Sequence, residues 1–436
     1  MNITIIGTGF VGVVSAAVFA SFGNKVTGLD IDQNKVASLT SGKVPFFEPG
    51  LEELLGQQLQ SGNLRFTTSY EEAIPNSEVI IIAVGTPSAA NGQADLTYVL
   101  AAAESSAPYL TPDSIVAVKS TVPPGTLDKV TNIIKRKTDV PFHIASLPEF
   151  LREGSAVKDT LHPDRVVLGA ANEFTYQKLT ELHAPFNAPL VKVSPESAQM
   201  GKYTANAFLA TRITFINEIA NLCQKNGASI TEVIEVIGKD KRIGDHYWYP
   251  GFGYGGSCFP KDVNELAAYS RSVGEEDNLL NKISAINTER IPRLLTEYEK
   301  QIGSWQGQRV AVLGLSFKPH TNDMREAPSV KVIPHLLSQG AHVVGYDPKA
   351  LEVADHFITP HPHLEYVDSV AKAVQGAEVI IALIEWPEIV TFDFAQALGT
   401  TQPNKLTHKP IFIDARNQFS KKDLLAAGYT YLGVGV

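Results

Sequence analysis

The sequence predicts an α/β protein: two doubly wound, parallel-sheet domains joined by a long central helix and a helical middle domain. Three observations carry this expectation. The chain opens with a strand, a glycine turn and a helix, Asn2-Ile-Thr-Ile-Ile-Gly7 leading into Val11–Phe22, the layout of a βαβ unit. The same pattern restarts near Gln308. There Arg309-Val-Ala-Val-Leu-Gly-Leu315 echoes the first strand and turn, Gly340-Ala-His-Val-Val-Gly-Tyr-Asp347 echoes Gly23-Asn-Lys-Val-Thr-Gly-Leu-Asp30, and Glu378-Val-Ile-Ile-Ala-Leu383 echoes Glu78-Val-Ile-Ile-Ile-Ala83. Between the repeats an apolar helical pattern runs from Ser194 to Gly227, about 30 residues or roughly 45 Å. Two Rossmann-like lobes bridged by this helix give expected domains of 1–195, 196–300 and 301–436.

Composition narrows the class. With 44% hydrophobic and 19% charged residues and no long apolar run, the chain reads as soluble and globular and is not expected to span a membrane. The opening strand lacks the basic-then-apolar layout of a signal peptide, so the cytoplasm is the expected location. Cys223 and Cys258 are the only cysteines, which fits a reducing compartment and gives neither a disulfide framework nor a zinc spacing; no metal is expected. A net charge of −9 disfavours nucleic-acid binding and leaves an anionic ligand to local Lys, Arg and helix N-termini.

In the first lobe, Gly7-Thr-Gly9-Phe-Val-Gly12 follows a strand and opens a helix, and Asp30 ends the next strand about 20 positions on. Together they form a dinucleotide fingerprint, with the carboxylate placed for a ribose 2′-hydroxyl; a 2′-phosphate would be repelled, so NAD is favoured over NADP. Lys35 either flanks the adenosine or is a solvated helix lysine. Thr86 and Thr121 follow apolar strands at the edge where open α/β sheets bind ligands, and either touch ligand or cap turns. Glu149 and Glu153 stand four apart after another strand, on one face if that segment is helical. They suit acid/base work or form a solvated pair.

Ser194-Pro-Glu supplies a cap, a first-turn proline and an early acid for the central helix, and Gly227 its stop. Lys202 and Asn206 are one turn apart on it and point the same way, either to stabilise an oxyanion or to make a surface pair or cap. Cys223, further along, reads as a core thiol. Ser229-Ile-Thr-Glu232 predicts a capping box for the next helix. The stretch Gly251-Phe-Gly-Tyr-Gly-Gly-Ser-Cys-Phe-Pro-Lys-Asp262 is dense in glycine, which lets backbone approach a ligand closely. Cys258 there has Lys261 to favour thiolate and Asp262 to handle protons, the ingredients of a nucleophile; an inert thiol in a turn is the alternative. In the second lobe the first turn reads Leu315-Ser-Phe-Lys-Pro-His-Thr-Asn-Asp-Met-Arg-Glu326. Lys318 and Arg325 replace the glycine cradle there, which suits a second phosphate-bearing ligand.

Four stretches, PEFLREG at 148–154, KYTANAFLA at 202–210, GYGGSCFPKD at 253–262 and GLSFKPHTNDMREAPS at 314–329, resemble the UDP-glucose/GDP-mannose dehydrogenase family, and the likeness covers essentially the whole chain. Phe47-Glu-Pro-Gly-Leu51, Arg242-Ile-Gly244 and Phe259 after the cysteine are typical of the branch acting on UDP-glucose. The resemblance implies a four-electron oxidation of a sugar C6 alcohol with NAD, through a Cys258 thiohemiacetal and thioester. It implies Glu149 as base for hydrolysis, Lys202 and Asn206 as oxyanion stabilisers, and Asp262 and Thr121 as the pair that position water. Cofactor contacts would include Val11, Asp30, Lys35, Thr86, Thr121, Glu153, Lys261 and Arg325. The sugar nucleotide would meet Glu149, Phe150, Leu151, Arg152 and Glu153, then Lys202 and Asn206, then Tyr247, Trp248, Tyr249, Pro250 and Gly251, and also Gly255 and Lys318. Arg242 would reach a partner subunit.

The sequence departs from the family in ending Tyr431-Leu-Gly-Val-Gly-Val436 where relatives often carry an arginine, and in Ser316, His320 and Asn322 of the Lys318 loop. UDP-glucose is the expected substrate, with GDP-mannose or UDP-N-acetylmannosamine as rivals. A two-electron NAD-dependent hydroxyacid dehydrogenase would share the fingerprint but needs no cysteine. A nucleotide-sugar sensor is the non-enzyme alternative. A homodimer through the central helices is expected.

Overall fold

The computed structural model describes residues 1–276, 278–400 and 409–436. The chain divides into two compact units, Met1–Ala205 with Asn264–Glu276, and Asn206–Val263 with Asp277–Val436.

The first unit is built on β1 (Asn2–Ile6), β2 (Lys25–Leu29), β3 (Leu64–Thr67), β4 (Val79–Ile82), β5 (Ser114–Val118), β6 (Phe142–Ser146), β7 (Val166–Ala170) and β8 (Leu190–Val193). They lie in the order 3-2-1-4-5-6-7-8, parallel throughout except where β6 meets β7. Alternation along the strands serves two cores. Ile3, Ile5, Val79 and Ile81 pack on one face, while Ile6, Ile80 and Ile82 pack on the other. A strand buried on both faces reads as a continuous apolar run, which is how β4 appears in the sequence.

The second unit contains β9 (Arg309–Leu313), β10 (His342–Tyr346), β11 (Leu364–Tyr366), β12 (Val379–Ala382), β13 (Ile411–Asp414) and β14 (Thr430–Leu432), in the order 11-10-9-12-13-14. This repeats the order of the first six strands of the first sheet, so the internal echo in the sequence is an echo in topology. In both sheets the order reverses beside the first strand, and ligands of open α/β sheets bind at such a switch point.

The central helix spans Pro195–Asn226, 32 residues. Ser194 Oγ accepts a hydrogen bond from Ser197 N–H at 3.2 Å, and Gly227 ends the helix at φ +79°. Cys223 is buried in the core of the second unit. Two local expectations fail. Ser229 makes no side-chain cap to the helix Ile230–Gly238; instead the Gly435 carbonyl accepts from Ile230 N–H at 2.9 Å, so the far end of the chain serves that helix start. Residues 148–152 form no helix, so Glu149 and Glu153 do not share a helical face. Just beyond it the Glu48 carboxylate accepts from Gly154 N–H at 2.6 Å and Ala156 N–H at 2.7 Å, at the start of the helix Ala156–Leu161. Among the described residues no helix is long and apolar enough to cross a membrane, and no group of three or more His, Cys, Asp or Glu is arranged to hold a metal ion.

Candidate active site

The first turn of the first unit has the shape a dinucleotide needs. Gly7 adopts φ +92°, and a Cβ there would lie 2.8 Å from the Ala83 carbonyl oxygen; a Cβ on Gly12 would lie 1.8 Å from the Gly7 carbonyl oxygen. Both glycines are therefore dictated by the turn and by helix–strand packing. Gly9 differs, because nothing lies within 4 Å of its Cβ position. It caps the helix Phe10–Ser21 with no side-chain hydrogen bond and no acid in the first turn, leaving the leading N–H groups open to an anion. Asp30 closes the cradle. Its Oδ2 accepts from Thr8 N–H at 2.9 Å, Thr8 Oγ1 at 2.7 Å and Lys35 Nζ at 3.0 Å, and its Oδ1 accepts from Asp32 N–H at 3.1 Å. Burial pushes this carboxyl up, but the Thr8, Asp32 and Lys35 donors pull harder and hold it below the usual range. Acceptor capacity remains on Oδ1 for a ribose hydroxyl. Thr86, beyond β4, is buried, and Thr121, beyond β5, is half-buried.

A second cluster in this unit joins distant stretches. Lys202 Nζ lies 3.1 Å from Glu149 Oε1, with both side chains under a tenth exposed, and Leu151 N–H donates to Glu149 Oε2 at 2.5 Å. Burial pushes Glu149 up, but Lys202, the Leu151 N–H and the charge of Lys119 together hold it below the ordinary carboxylate range. Lys119 follows β5, and burial pushes its ammonium down to about 8 despite the opposing pull of Glu149. Around this cluster Phe150 stacks under the Arg165 guanidinium at 3.7 Å, with Lys202 5.3 Å from the same ring. Arg152 grips Asp159 through Nε at 2.9 Å and Nη2 at 2.7 Å. Glu153 lies half-buried beside it.

In the second unit Asn206 Nδ2 donates to Asp262 Oδ2 at 2.6 Å, and Lys261 Nζ stands 2.8 Å from Asp262 Oδ1. Asp262 is 1% exposed, so the pairing offsets the burial of its charge. Cys258 immediately precedes the helix Phe259–Ser272, and its carbonyl accepts the first helical bond, from Asp262 N–H at 2.8 Å. Sulfur thus sits at the positive end of a helix, where negative charge is stabilised. The glycines before it pack against protein. A Cβ on Gly255 would lie 2.1 Å from the Glu326 carbonyl oxygen, and one on Gly256, at φ +81°, would lie 2.7 Å from the Phe317 ring. Close backbone approach is real here, and its partner is the Lys318 loop of the same unit.

That loop carries Lys318, 5.5 Å from the Phe317 ring, and Arg325, whose Nη2 pairs with Asp323 at 2.7 Å. Upstream of the glycines, Tyr247 takes φ +63° and packs 5.5 Å from Tyr249. Trp248 Nε1 donates to the Gly244 carbonyl at 2.9 Å beneath the Arg212 guanidinium at 3.9 Å. Pro250 and Gly251 are buried. Arg242 is 89% exposed and pairs locally with Asp240 at 2.6 Å.

The structure thus gathers Glu149 with Lys202 in one unit, and Asn206, Lys261 and Asp262 beside Cys258 in the other. Sequence reasoning missed Lys119, Glu48 and Glu265. Lys119 had a signal, a cation closing an otherwise apolar strand. Glu48 lay in a stretch read only as typical of a branch. Glu265 is buried, accepting from Tyr203 Oη at 2.8 Å and Ser88 Oγ at 3.2 Å; one more acid on an amphipathic helix gave no warning of it.

Family models match all three parts of the chain: the NAD binding domain of the UDP-glucose/GDP-mannose dehydrogenase family over residues 1–187, its central domain over 196–289 and its UDP binding domain over 311–421. The UDP-glucose 6-dehydrogenase YwqF of Bacillus subtilis is 42% identical over 437 residues, covering all of this chain and 98% of the relative. A UDP-glucose dehydrogenase structure from Pyrobaculum islandicum superposes with a TM-score of 0.90 at 38% identity, covering 99% of this chain and 97% of that one. A UDP-D-ManNAc dehydrogenase structure from Pyrococcus horikoshii gives 0.85 at 27% identity, covering 100% and 99%. With the glycine cradle, the Lys202–Glu149 pair and the cysteine loop on one chain, these likenesses establish that the protein belongs to the UDP-glucose/GDP-mannose dehydrogenase family.

Proposed function

We infer that the chain is an NAD-dependent UDP-glucose 6-dehydrogenase, oxidising the C6 alcohol of UDP-glucose to the carboxylate of UDP-glucuronate. The observation that carries this reading is Cys258 at a helix N-terminus beside the Asn206–Asp262–Lys261 group, in a chain 42% identical over its whole length to a UDP-glucose 6-dehydrogenase. A dehydrogenase that stops at two electrons has no use for such a thiol.

NAD would be held by Gly7, Gly9, Val11, Gly12, Asp30 and Lys35, with Thr86, Thr121, Glu153, Lys261 and Arg325 as further contacts implied by the family resemblance, and would supply the hydride acceptor for both oxidations. The chain's own residues do the rest. Cys258 Sγ adds to the C6 aldehyde, forming a thiohemiacetal that is carried on to a thioester. Lys202 and one Asn206 amide hydrogen stabilise the oxyanion, and Asp262 with Thr121 positions water and moves protons. Glu149, kept ionised by its neighbours, is the base for thioester hydrolysis. Loss of one oxyanion donor costs about 10²–10³ in rate. By the family resemblance the sugar nucleotide would meet the stretch 149–153, Lys202, Asn206, the stretch 247–251, Gly255 and Lys318.

NADH counted per UDP-glucose consumed tests the reading. Two equivalents are expected; one would overturn the thioester route, and faster turnover of GDP-mannose or UDP-N-acetylmannosamine would move the chain to another branch. Cys258→Ser is expected to abolish uronate release.

We propose that function is divided among three segments, NAD-binding over 1–195, central over 196–300 and UDP-sugar-binding over 301–436. We further propose a homodimer through the central helix. Phe208, Phe215 and Leu222 recur every seven residues on it and are 58%, 53% and 57% exposed, more apolar surface than one helix face normally leaves in water. Arg242, exposed and locally paired, is proposed to reach the partner subunit's sugar nucleotide. A catalytic thiol that must stay reduced fits the cytoplasm.

A further inference from the structure

We propose that Asn287 and Arg290, one turn apart on the helix Leu279–Ile302, act with Asn217 of the central helix as positioning residues that clamp the loop carrying Cys258. The proposal rests on the reading of Cys258 as the nucleophile and extends it to the residues that hold the nucleophile in place.

The clamp grips main chain. Gly251 N–H donates to Asn217 Oδ1 at 2.8 Å, and the Gly251 carbonyl accepts from Arg290 Nε. Three residues on, Tyr254 N–H donates to Asn287 Oδ1 at 2.9 Å while the Tyr254 carbonyl accepts from Asn287 Nδ2 at 3.0 Å. One amide side chain thus serves both main-chain groups of one residue, as a neighbouring strand would. The glycines fit this contact. Gly253 stands at φ +97°, and a Cβ there would lie 2.5 Å from Asn287 Oδ1; a Cβ on Gly251 would lie 2.6 Å from the Ala415 carbonyl oxygen. The loop is therefore pinned at Gly251 and Tyr254, then at Gly256 by its N–H bond to the Arg325 carbonyl at 2.9 Å, and it delivers Cys258 to the start of its helix.

Arg290 is an expensive way to hold a loop. It is 4% exposed, burial pushes its guanidinium down to about 10, and its Nη2, like Asn217 Nδ2, has no partner among the described residues. A packed apolar side chain of similar volume is commonly as stable as a buried charge. What such a side chain cannot do is fix the Gly251 carbonyl. Arg290 also bonds the Asn217 carbonyl at 3.4 Å and Asn221 Oδ1 at 3.2 Å, tying the two helices to each other and to the loop. Preorganisation of this kind supports a reacting group directly, since a misplacement of about 1 Å can cost ~10²-fold in rate.

The test compares Asn287→Ala, Asn287→Asp, Arg290→Met and Arg290→Lys with the full-length wild type by three measurements: thermal melting, NADH formation from UDP-glucose with NAD, and the rate of Cys258 alkylation by iodoacetamide read by peptide mass. Asn287→Asp keeps the acceptor and loses the donor. We expect kcat to fall about tenfold with KM changed less than about threefold, and Cys258 alkylation to change by at least about threefold in the Asn287 variants. Arg290→Lys should recover part of the kcat lost in Arg290→Met. Lower melting temperatures with kcat and alkylation both within about twofold of wild type would overturn the proposal, leaving a stability role. Should Arg290→Met not fold, the half-buried Asn287 pair decides. Should the wild type make no NADH from UDP-glucose, the substrate reading fails, and the alkylation rates alone still decide the clamp.

Discussion

Glu149 carries a charge that burial alone would remove. The Lys202 ammonium at 3.1 Å, the Leu151 N–H at 2.5 Å and the charge of Lys119 reverse that effect, so the carboxylate proposed as the base is ionised. Replacing Lys119 with Met removes one of these pulls. The Glu149 carboxyl should then titrate at higher pH, and the acid limb of the kcat profile should move upward relative to wild type. The same substitution has a stability signature. With a folded value near 8 against an ordinary 10.5, Lys119 binds fewer protons folded than unfolded between those limits, so its contribution to stability rises with pH across that window. Below about pH 8 both states are charged and the full penalty of burial applies. Urea unfolding at pH 7.5 and pH 10 should therefore show wild type gaining on Lys119→Met as pH rises. Asp30 offers a simpler test. Asp30→Ala removes the proposed ribose acceptor and the partner of Lys35, and the KM for NAD should rise by about tenfold or more, given about 1.5–3 kcal/mol for a hydrogen bond to a charged group.

Elements were legible where their signals are local. Ser194 and Gly227 bound the central helix because a cap bond and a positive φ are decided within a turn. Ser194→Ala should cost about 1 kcal/mol, read by chemical denaturation. Ser229 offered an equally good local signal and failed, since Ile230 N–H goes to Gly435, more than 200 positions away in the chain. Glu48 likewise serves the N–H groups of Gly154 and Ala156, more than 100 positions away, at the start of the helix Ala156–Leu161. The glycine loop was read as a place where backbone meets ligand. Its glycines also let backbone meet Asn287, Ala415, Glu326 and Phe317, contacts that the sequence did not announce. Gly256→Ala meets both strain at φ +81° and the Phe317 ring, so it should lose about 1–3 kcal/mol by thermal or urea melting.

At the scale of the whole molecule, the exposed Phe208, Phe215 and Leu222 are expected to be covered by a second copy. Light scattering should give about twice the chain mass of 47.2 kDa, and Phe215→Asp should return the protein to a monomer. The sequence by itself determined the two parallel-sheet lobes and the dinucleotide cradle. Alternation, glycine at a forced turn and an acid at the end of the second strand are consequences of backbone geometry and need no distant partner. Tertiary structure alone decided which distant polar groups meet: Lys119 and Lys202 around Glu149, Asn206 on Asp262, Arg290 and Asn287 on the cysteine loop. Those groups come from stretches tens of residues apart, and burial gives their charges and main-chain bonds a strength that no spacing in the sequence records.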